Sequence, residues 1–234
     1  MKKTLAALAL ATTATFSGAA PADAALIINS ITSANSGAPK AKLRAGGYTV
    51  NNVRVTPFNV SGTLDGDAVS LYTFCVDIFQ TIHSGTYDVV SLTDFVGGDA
   101  LKAGRIAALI SNQGSAGTVQ HDAAVQLALW ELLYEDNGTS ADLTKNVFRV
   151  PTISDPAART LANQYADLAR TSWMPAKDIV INVAKNGKYQ DQLFWSYAPA
   201  GVPEPATWAM MIIGFGAIGS AMRSKRVKTR VSFA

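Results

Sequence analysis

Apolar residues follow two rhythms along this 234-residue chain. From 26 to 92 they mostly alternate with polar ones. The runs LIINSITSA (26–34), GGYTVNNVRVTPFNVSGTL (46–64), AVSLYTFCVDIF (68–79) and GTYDVVSL (85–92) are rich in β-branched and aromatic residues and predict strands. Asp65-Gly66-Asp67 predicts a hairpin turn; as a calcium loop it lacks the downstream ligands. From 100 to 173 the spacing becomes helical. Residues 99–114 predict a helix ending at Gly114. Residues 123–136 lie in a second, with Thr118 or Asp122 as N-cap and Asn137-Gly138 at its end. Residues 154–173 predict a third, capped by Ser154 or Asp155, with Pro156 in its first turn. DIVINVAK (178–185) and DQLFWSYA (191–198) predict closing strands with a hairpin turn at 185–188. Strands, helices, then strands predict an α+β fold, a small β sheet or barrel lobe with a helical lobe inserted. No internal repeat is present.

Both ends break these rhythms. Lys2 and Lys3 precede a small, apolar stretch from Leu5 to Phe16, and Ala22-Asp23-Ala24 has the small-x-small pattern of a cleavage site. That order predicts a signal peptide over 1–24 and a mature chain starting near Ala25, so signal peptidase is an expected partner. At the other end, Trp208 to Met222 is almost wholly apolar and is followed by Arg223, Lys225, Arg226, Lys228 and Arg230. Fifteen helical residues reach about 22 Å, short of a hydrocarbon core of about 30 Å, so a crossing needs Ala206, Thr207 and local thinning. The basic residues predict a cytoplasmic tail over 223–234, with the rest outside. Gly214-Phe215-Gly216-Ala217-Ile218-Gly219 matches a dinucleotide-binding pattern, but no strand precedes it and no ribose-binding acid follows. Close helix packing explains these glycines better.

The tail PEPATWAMMIIGFG, with Pro203, Glu204, Pro205, Trp208 and Ala209 ahead of the apolar span and the basic stop Arg223, Lys225 and Arg226 behind it, resembles a PEP-CTERM sorting signal of the Trp-Ala variant. The resemblance implies a Gram-negative bacterium and an exosortase that cuts near the motif. It also implies transient anchoring in the inner membrane, followed by release to the cell surface or extracellular matrix. The prolines hold the segment extended, which suits a processing enzyme. The chain then divides into signal peptide (1–24), ectodomain (25–198), linker with the PEP motif (199–207), hydrophobic sorting or transmembrane helix (208–222) and basic tail (223–234).

Removing both ends changes the charge. The whole chain is +3, but residues 25–202 hold 13 basic and 15 acidic residues, a net charge near −2. The high pI therefore says nothing of nucleic acid, and none is expected as a partner. The chain has one cysteine, Cys75, so an intramolecular disulfide is impossible. With two histidines, His83 and His121, a zinc site would need carboxylates at a spacing that is absent; no metal or cofactor is expected.

Two residues are out of place. In SLYTFCVDIF, alternation puts Tyr72, Phe74, Val76 and Ile78 on the core face and Cys75 on the other, with Thr73 and Asp77. In AAVQLALWELLYED, a helical projection puts Glu131 and Glu135 together on the expected wet side. Gln126 falls opposite, flanked by Leu129, Trp130 and Leu133. A buried carboxamide needs hydrogen-bond partners or a chemical role. A thiolate facing one can attack the amide carbon, expel ammonia and leave an internal thioester. That reaction needs a deprotonated thiol, donors for the oxyanion and exclusion of water.

FCVD around Cys75, RIAALI (105–110) and AAVQLALWELLYE around Gln126 resemble the Cys–Gln thioester domains of bacterial surface adhesins. That pattern has Thr-Gln-x-Ala-aliphatic-Trp; here Val125 stands at the threonine, followed by Gln126, Ala128, Leu129 and Trp130. The resemblance spans residues 72–135. It implies a β lobe on a helical lobe, Cys75 and Gln126 as bond partners, Ala128 and Trp130 packed around the bond, and capture of an amine on a partner surface. Attachment rather than enzymatic turnover is then expected, to an unknown surface amine or polysaccharide in adhesion or biofilm matrix. The rivals are a non-covalent matrix or carbohydrate-binding module and a cysteine hydrolase with His83 or His121 as base. Gly-x-Ser-x-Gly is absent, which removes the ordinary serine hydrolase elbow.

Overall fold

The computed structural model describes residues 24–135, 140–197 and 205–223, the last with side chains only at 210–219. Six strands come first: β1 (Ala25–Ser33), β2 (Lys40–Ala45), β3 (Tyr48–Arg54), β4 (Phe58–Leu64), β5 (Asp67–Cys75) and β6 (Gly85–Ser91). The short α1 (Leu92–Phe95), α2 (Ala100–Gln113) and α3 (Val119–Tyr134) follow, then β7 (Arg149–Ile153) and α4 (Pro156–Thr171). β8 (Ile179–Lys185), β9 (Gln192–Tyr197) and α5 (Pro205–Arg223) complete the order. The α+β expectation holds: six strands close an antiparallel barrel in the order β1-β4-β5-β9-β8-β6, and α1 to α4 pack beside it. Closure leaves the barrel no free edge.

Alternation fills the barrel. Leu26 and Ile28 of β1, Val60, Tyr87, Ala184 and Phe194 form one buried cluster. Gly62 allows β4 to approach the β1 bulge between Ile28 and Ser30; a Cβ there would lie 1.8 Å from the Ile27 carbonyl oxygen. The expected turn at Asp65-Gly66 joins β4 to β5 with positive φ at both residues, 53° and 95°, as a two-residue hairpin turn requires. β1 starts at Ala25, where the mature chain is expected to begin.

A second cluster joins the barrel wall to the helices and to a three-stranded sheet ordered β3-β2-β7. That sheet was not expected. The apolar run 46–64 divides at Thr56-Pro57, where proline removes a ladder donor, and its halves join different sheets. β2 and β7 are short and interrupted by Lys40, Lys42, Arg44 and Arg149, so neither announces itself. The expected strand 68–79 stops at Cys75. The expected turn at 185–188 is a longer connection over 186–191, held by Asn186, whose Oδ1 accepts from the Lys188 and Tyr189 amides.

The helices start as expected. Thr118 caps α3 through the His121 amide, and Asp155 caps α4 with Pro156 in the first turn. α3 ends at Tyr134; the expected end at Asn137-Gly138 lies outside the described residues. One expectation fails: Glu131 and Glu135 do not face water. Every residue from 122 to 132 is buried, because α2 and α4 flank α3 and residues 141–148 cover its last turns. Arg170 of α4, itself 4% exposed, lies 3.3 Å from Glu131, and the Val147 amide donates to Glu135 at 2.7 Å. Burial raises the Glu131 carboxyl pKa, and Arg170 and Asn146 partly offset the rise.

Removing one partner of a buried ion pair strands the other charge. Arg170→Ala is expected to cost about 3–5 kcal/mol at neutral pH in urea unfolding. Without Arg170, the folded-state pKa of Glu131 rises further above its unfolded value, so the folded state binds the extra proton. The deficit should therefore shrink as pH falls through that raised pKa towards the unfolded value of 4.5. A deficit unchanged between pH 7 and pH 5 would contradict this account.

Candidate functional site

Cys75 is the last residue of β5 and reaches the end of its neighbour. β4 begins at Phe58, opposite Thr73, so no strand flanks Cys75 on that side. Gln126 of α3 fills the gap. The Cys75 amide donates to Gln126 Oε1 at 2.9 Å, and Gln126 Nε2 donates to the Cys75 carbonyl at 2.8 Å. The side-chain amide substitutes for the missing strand's peptide group, with both its polar atoms paired and no exposure. Two turns along α3, the Tyr134 hydroxyl accepts from the Ile78 amide at 3.3 Å and donates to the Val76 carbonyl at 3.1 Å. One helix thus fixes the segment from Cys75 to Ile78.

The thiol points among two further carboxamides. Cys75 Sγ donates to Gln190 Oε1 at 2.9 Å, and Gln192 Nε2 donates to Sγ at 3.5 Å. Gln192 lies directly across the ladder from Cys75, and Thr73 Oγ1 donates to its Oε1 at 2.9 Å. Gln190 Nε2 donates to the Asp77 carbonyl. Burial pushes the Cys75 thiol up to about 12, with the Gln192 bond lowering it and Asp77 raising it. Sequence reasoning missed Gln190 and Gln192. Gln192 opens β9 and Gln190 lies in the connection before it, so strand alternation alone would not have paired them.

The core face is also wider than alternation implied. Thr73 and Cys75 are buried along with Phe74, because β5 is covered on both sides at this end. A cleft of about 330 Å³ opens beside the thiol, lined by residues 50–54 of β3, Gln80, Trp130 and Gln190. Trp130 is 1% exposed and packs edge-on against Phe148 at 6.3 Å, while its Nε1 has no hydrogen-bond partner among the described residues. Ala128 is wholly buried.

Neither histidine is a hydrogen-bond partner of Cys75 among the described residues. His121 contacts the Tyr165 hydroxyl and the Gln113 carbonyl, and His83 contacts Thr81 Oγ1. No group of three or more metal-ligating side chains occurs among the described residues.

The sorting residues are only partly placed. Pro205 opens α5, which carries Trp208 and ends at Arg223; Pro203, Glu204, Lys225 and Arg226 lie outside the described residues, as does Ala22. Ala24 precedes β1, and its carbonyl accepts from the Val89 amide at 2.8 Å. Among the described residues, no helix is long and apolar enough to cross a membrane.

Among solved structures, the N-terminal thioester domain of a surface protein from Clostridium perfringens, as a cysteine-to-alanine mutant, is similar to this chain. The TM-score is 0.42 and the identity 13%, over 68% of this chain and all of that one. No curated protein matches. The PEP-CTERM protein-sorting motif matches residues 201–226, so the chain carries that sorting signal at its C-terminus.

Proposed function

We propose that this is an exported surface or matrix protein, processed by an exosortase, whose ectodomain captures amines covalently through a thioester between Cys75 and Gln126. The observation that carries this reading is the Gln126 carboxamide held on the backbone of the chain's sole cysteine. The amide lies in the hydrogen-bonding plane of β5, whereas a strand's side chain leaves that plane steeply. Sγ itself is hydrogen-bonded to the Gln190 and Gln192 carboxamides, so the proposed reaction requires it to turn onto the Gln126 carbonyl carbon.

In the proposed reaction Sγ bonds to Gln126 Cδ and the carbonyl oxygen becomes an oxyanion. The Cys75 amide, already donating to that oxygen at 2.9 Å, stabilises it. The C–N bond breaks, the thiol proton goes to the leaving nitrogen, and ammonia departs. An incoming neutral amine then attacks the thioester carbon, forms an amide with the Gln126 acyl group and returns a proton to the thiol. Burial of Gln126 and Trp130 protects the acyl group from hydrolysis. Arg54 is the cleft's charged lining residue, and it favours the neutral, nucleophilic form of an amine over its ammonium. Each site acts once, as attachment rather than turnover. The sorting motif delivers this module: the C-terminal signal holds it at the inner membrane until the exosortase cuts near Pro203 to Pro205.

Intact mass tests the bond. The native protein should be lighter than its sequence by one ammonia, about 17 Da, with Cys75 closed to alkylation until methylamine adds to Gln126 and frees it. Full mass with an inert thiol would leave Gln126 as a structural clamp and the protein a non-covalent binder; full mass with a reactive thiol would favour the hydrolase.

The rate of bond formation should follow the thiolate fraction. Below a thiol pKa of about 12, refolded protein should lose ammonia roughly tenfold faster for each pH unit between 7 and 9. A flat profile would remove the thiolate from the limiting step. Deleting Pro203 to Pro205 should abolish C-terminal processing, and normal maturation of that variant in the native host would refute the sorting role.

A further inference from the structure

A second cleft, of about 870 Å³, lies between α2 and the start of β8. Ala103, Gly104 and Ala107 of α2 line it on one side and Ile179 to Ile181 of β8 on another, with residues 174–177 between them. Two of its apolar side chains stand in the open: Met174 is 79% exposed and Val180 43%. This exposure is built into the fold. Asn112 Nδ2 donates to the Met174 carbonyl at 3.2 Å, and the Ala176 amide donates to Ser111 Oγ at 2.9 Å, so α2 pins the segment that carries Met174. A contiguous exposed apolar surface of this kind marks a contact with something else.

The strands say what that is. Tyr197, 55% exposed, lies directly across the ladder from Ile179, and such pairs share a face, so Tyr197 extends the cleft's rim. Tyr197 also ends β9, and only residues 198–204 separate it from Pro205 at the start of the apolar C-terminal segment. Seven residues span at most about 25 Å fully extended. A chain held at a membrane by that segment therefore has this rim tethered close to the lipid. Cys75 lies across from Gln192, at the other end of β9, about 17 Å along the strand from Tyr197.

We propose that this cleft is a lipid-contacting surface: while the sorting signal anchors the chain, Met174, Val180 and Tyr197 enter the interface of the same bilayer, and the end bearing Cys75 is turned away from it. Tyrosine suits the headgroup level. The Lys177 stem can follow the apolar surface with its ammonium among the phosphates. Asp178 beside it balances that charge, so apolar burial rather than charge attraction holds the contact. The proposal rests on the sorting reading and is independent of the thioester.

Site-directed fluorescence tests it. The full chain carrying Cys75→Ala is reconstituted in vesicles of equal parts phosphatidylethanolamine and phosphatidylglycerol. One thiol is added per variant for an environment-sensitive dye: Met174→Cys at the cleft, Asn51→Cys of β3 at the Cys75 end, or Ile213→Cys in the C-terminal segment. All three positions are exposed, so labelling leaves the fold intact. Lipids brominated in the upper acyl chain should remove most of the emission at 174 and 213 and leave that at 51 unchanged. The quenching at 174 should persist in about 1 M salt, where charge attraction is screened. Quenching at 213 without quenching at 174 overturns the proposal alone, as does release of 174 by salt or equal quenching at 51. A blue shift at 174 that bromine does not quench would mean that protein, such as a second copy, covers the cleft, and also overturns it. An unquenched 213 defeats the anchoring reading, and the proposal with it.

Discussion

Everything specific about this molecule depends on the Gln126 side chain completing the hydrogen bonds of Cys75. Where β4 runs out, a buried backbone N–H and C=O would face an apolar helix with no partner. Such groups are almost always paired in folded proteins, since each left alone costs about 1–3 kcal/mol. A carboxamide is the only uncharged side-chain group offering one donor and one acceptor in the geometry of a peptide. The same contact ties the helical lobe to the barrel, and Tyr134 repeats it two turns later on the backbone of Val76 and Ile78. A structural need thus sets the Gln126 carboxamide on the backbone of the chain's single cysteine.

The odd residues were legible in the sequence; their surroundings were not. Cys75 and Gln126 stood out because each broke an apolar pattern, and the order of strands and helices sufficed for α+β. Gln190 and Gln192 passed unnoticed because glutamine at a strand's start is unremarkable until the partner strand is known. β2 was hidden by Lys40, Lys42 and Arg44, between which Ala41, Leu43 and Ala45 are buried, and β7 by its length of five residues, opened by Arg149 and holding Pro151. The burial of Glu131 and Glu135 was missed for a different reason. A helical projection ranks the sides of a helix against one another but does not say how many are covered. α3 has neighbours all round, so even its most polar side meets Arg170, Asn146 and the Val147 amide rather than water.

That central position bears on the site. A helix bearing an electrophile beside a nucleophile has to hold its register closely, since small misplacements are costly for acyl transfer. α3 is fixed on one side by Gln126 and Tyr134 on the strand segment and on another by its carboxylates on α4 and the following loop. The acids that looked like a solvated face are better understood as part of the clamp that sets the distance between Gln126 and Cys75.

The hydrogen bonds also indicate why a thioester here would be poised to react. When ammonia leaves, Gln126 keeps the oxygen that accepts from the Cys75 amide but loses the nitrogen that donates to the Cys75 carbonyl. That carbonyl is then buried without a donor, at a cost of about 1–3 kcal/mol. Water attack would give a carboxylate, which cannot donate and would sit as a charge in a dry pocket. A primary amine gives a secondary amide, whose favoured trans form puts the substituent where the donating hydrogen was and turns its N–H away from the Cys75 carbonyl. The frame that holds a glutamine amide is therefore left unsatisfied by the acid and by the trans amide alike, and only the unreacted glutamine completes both bonds of Cys75.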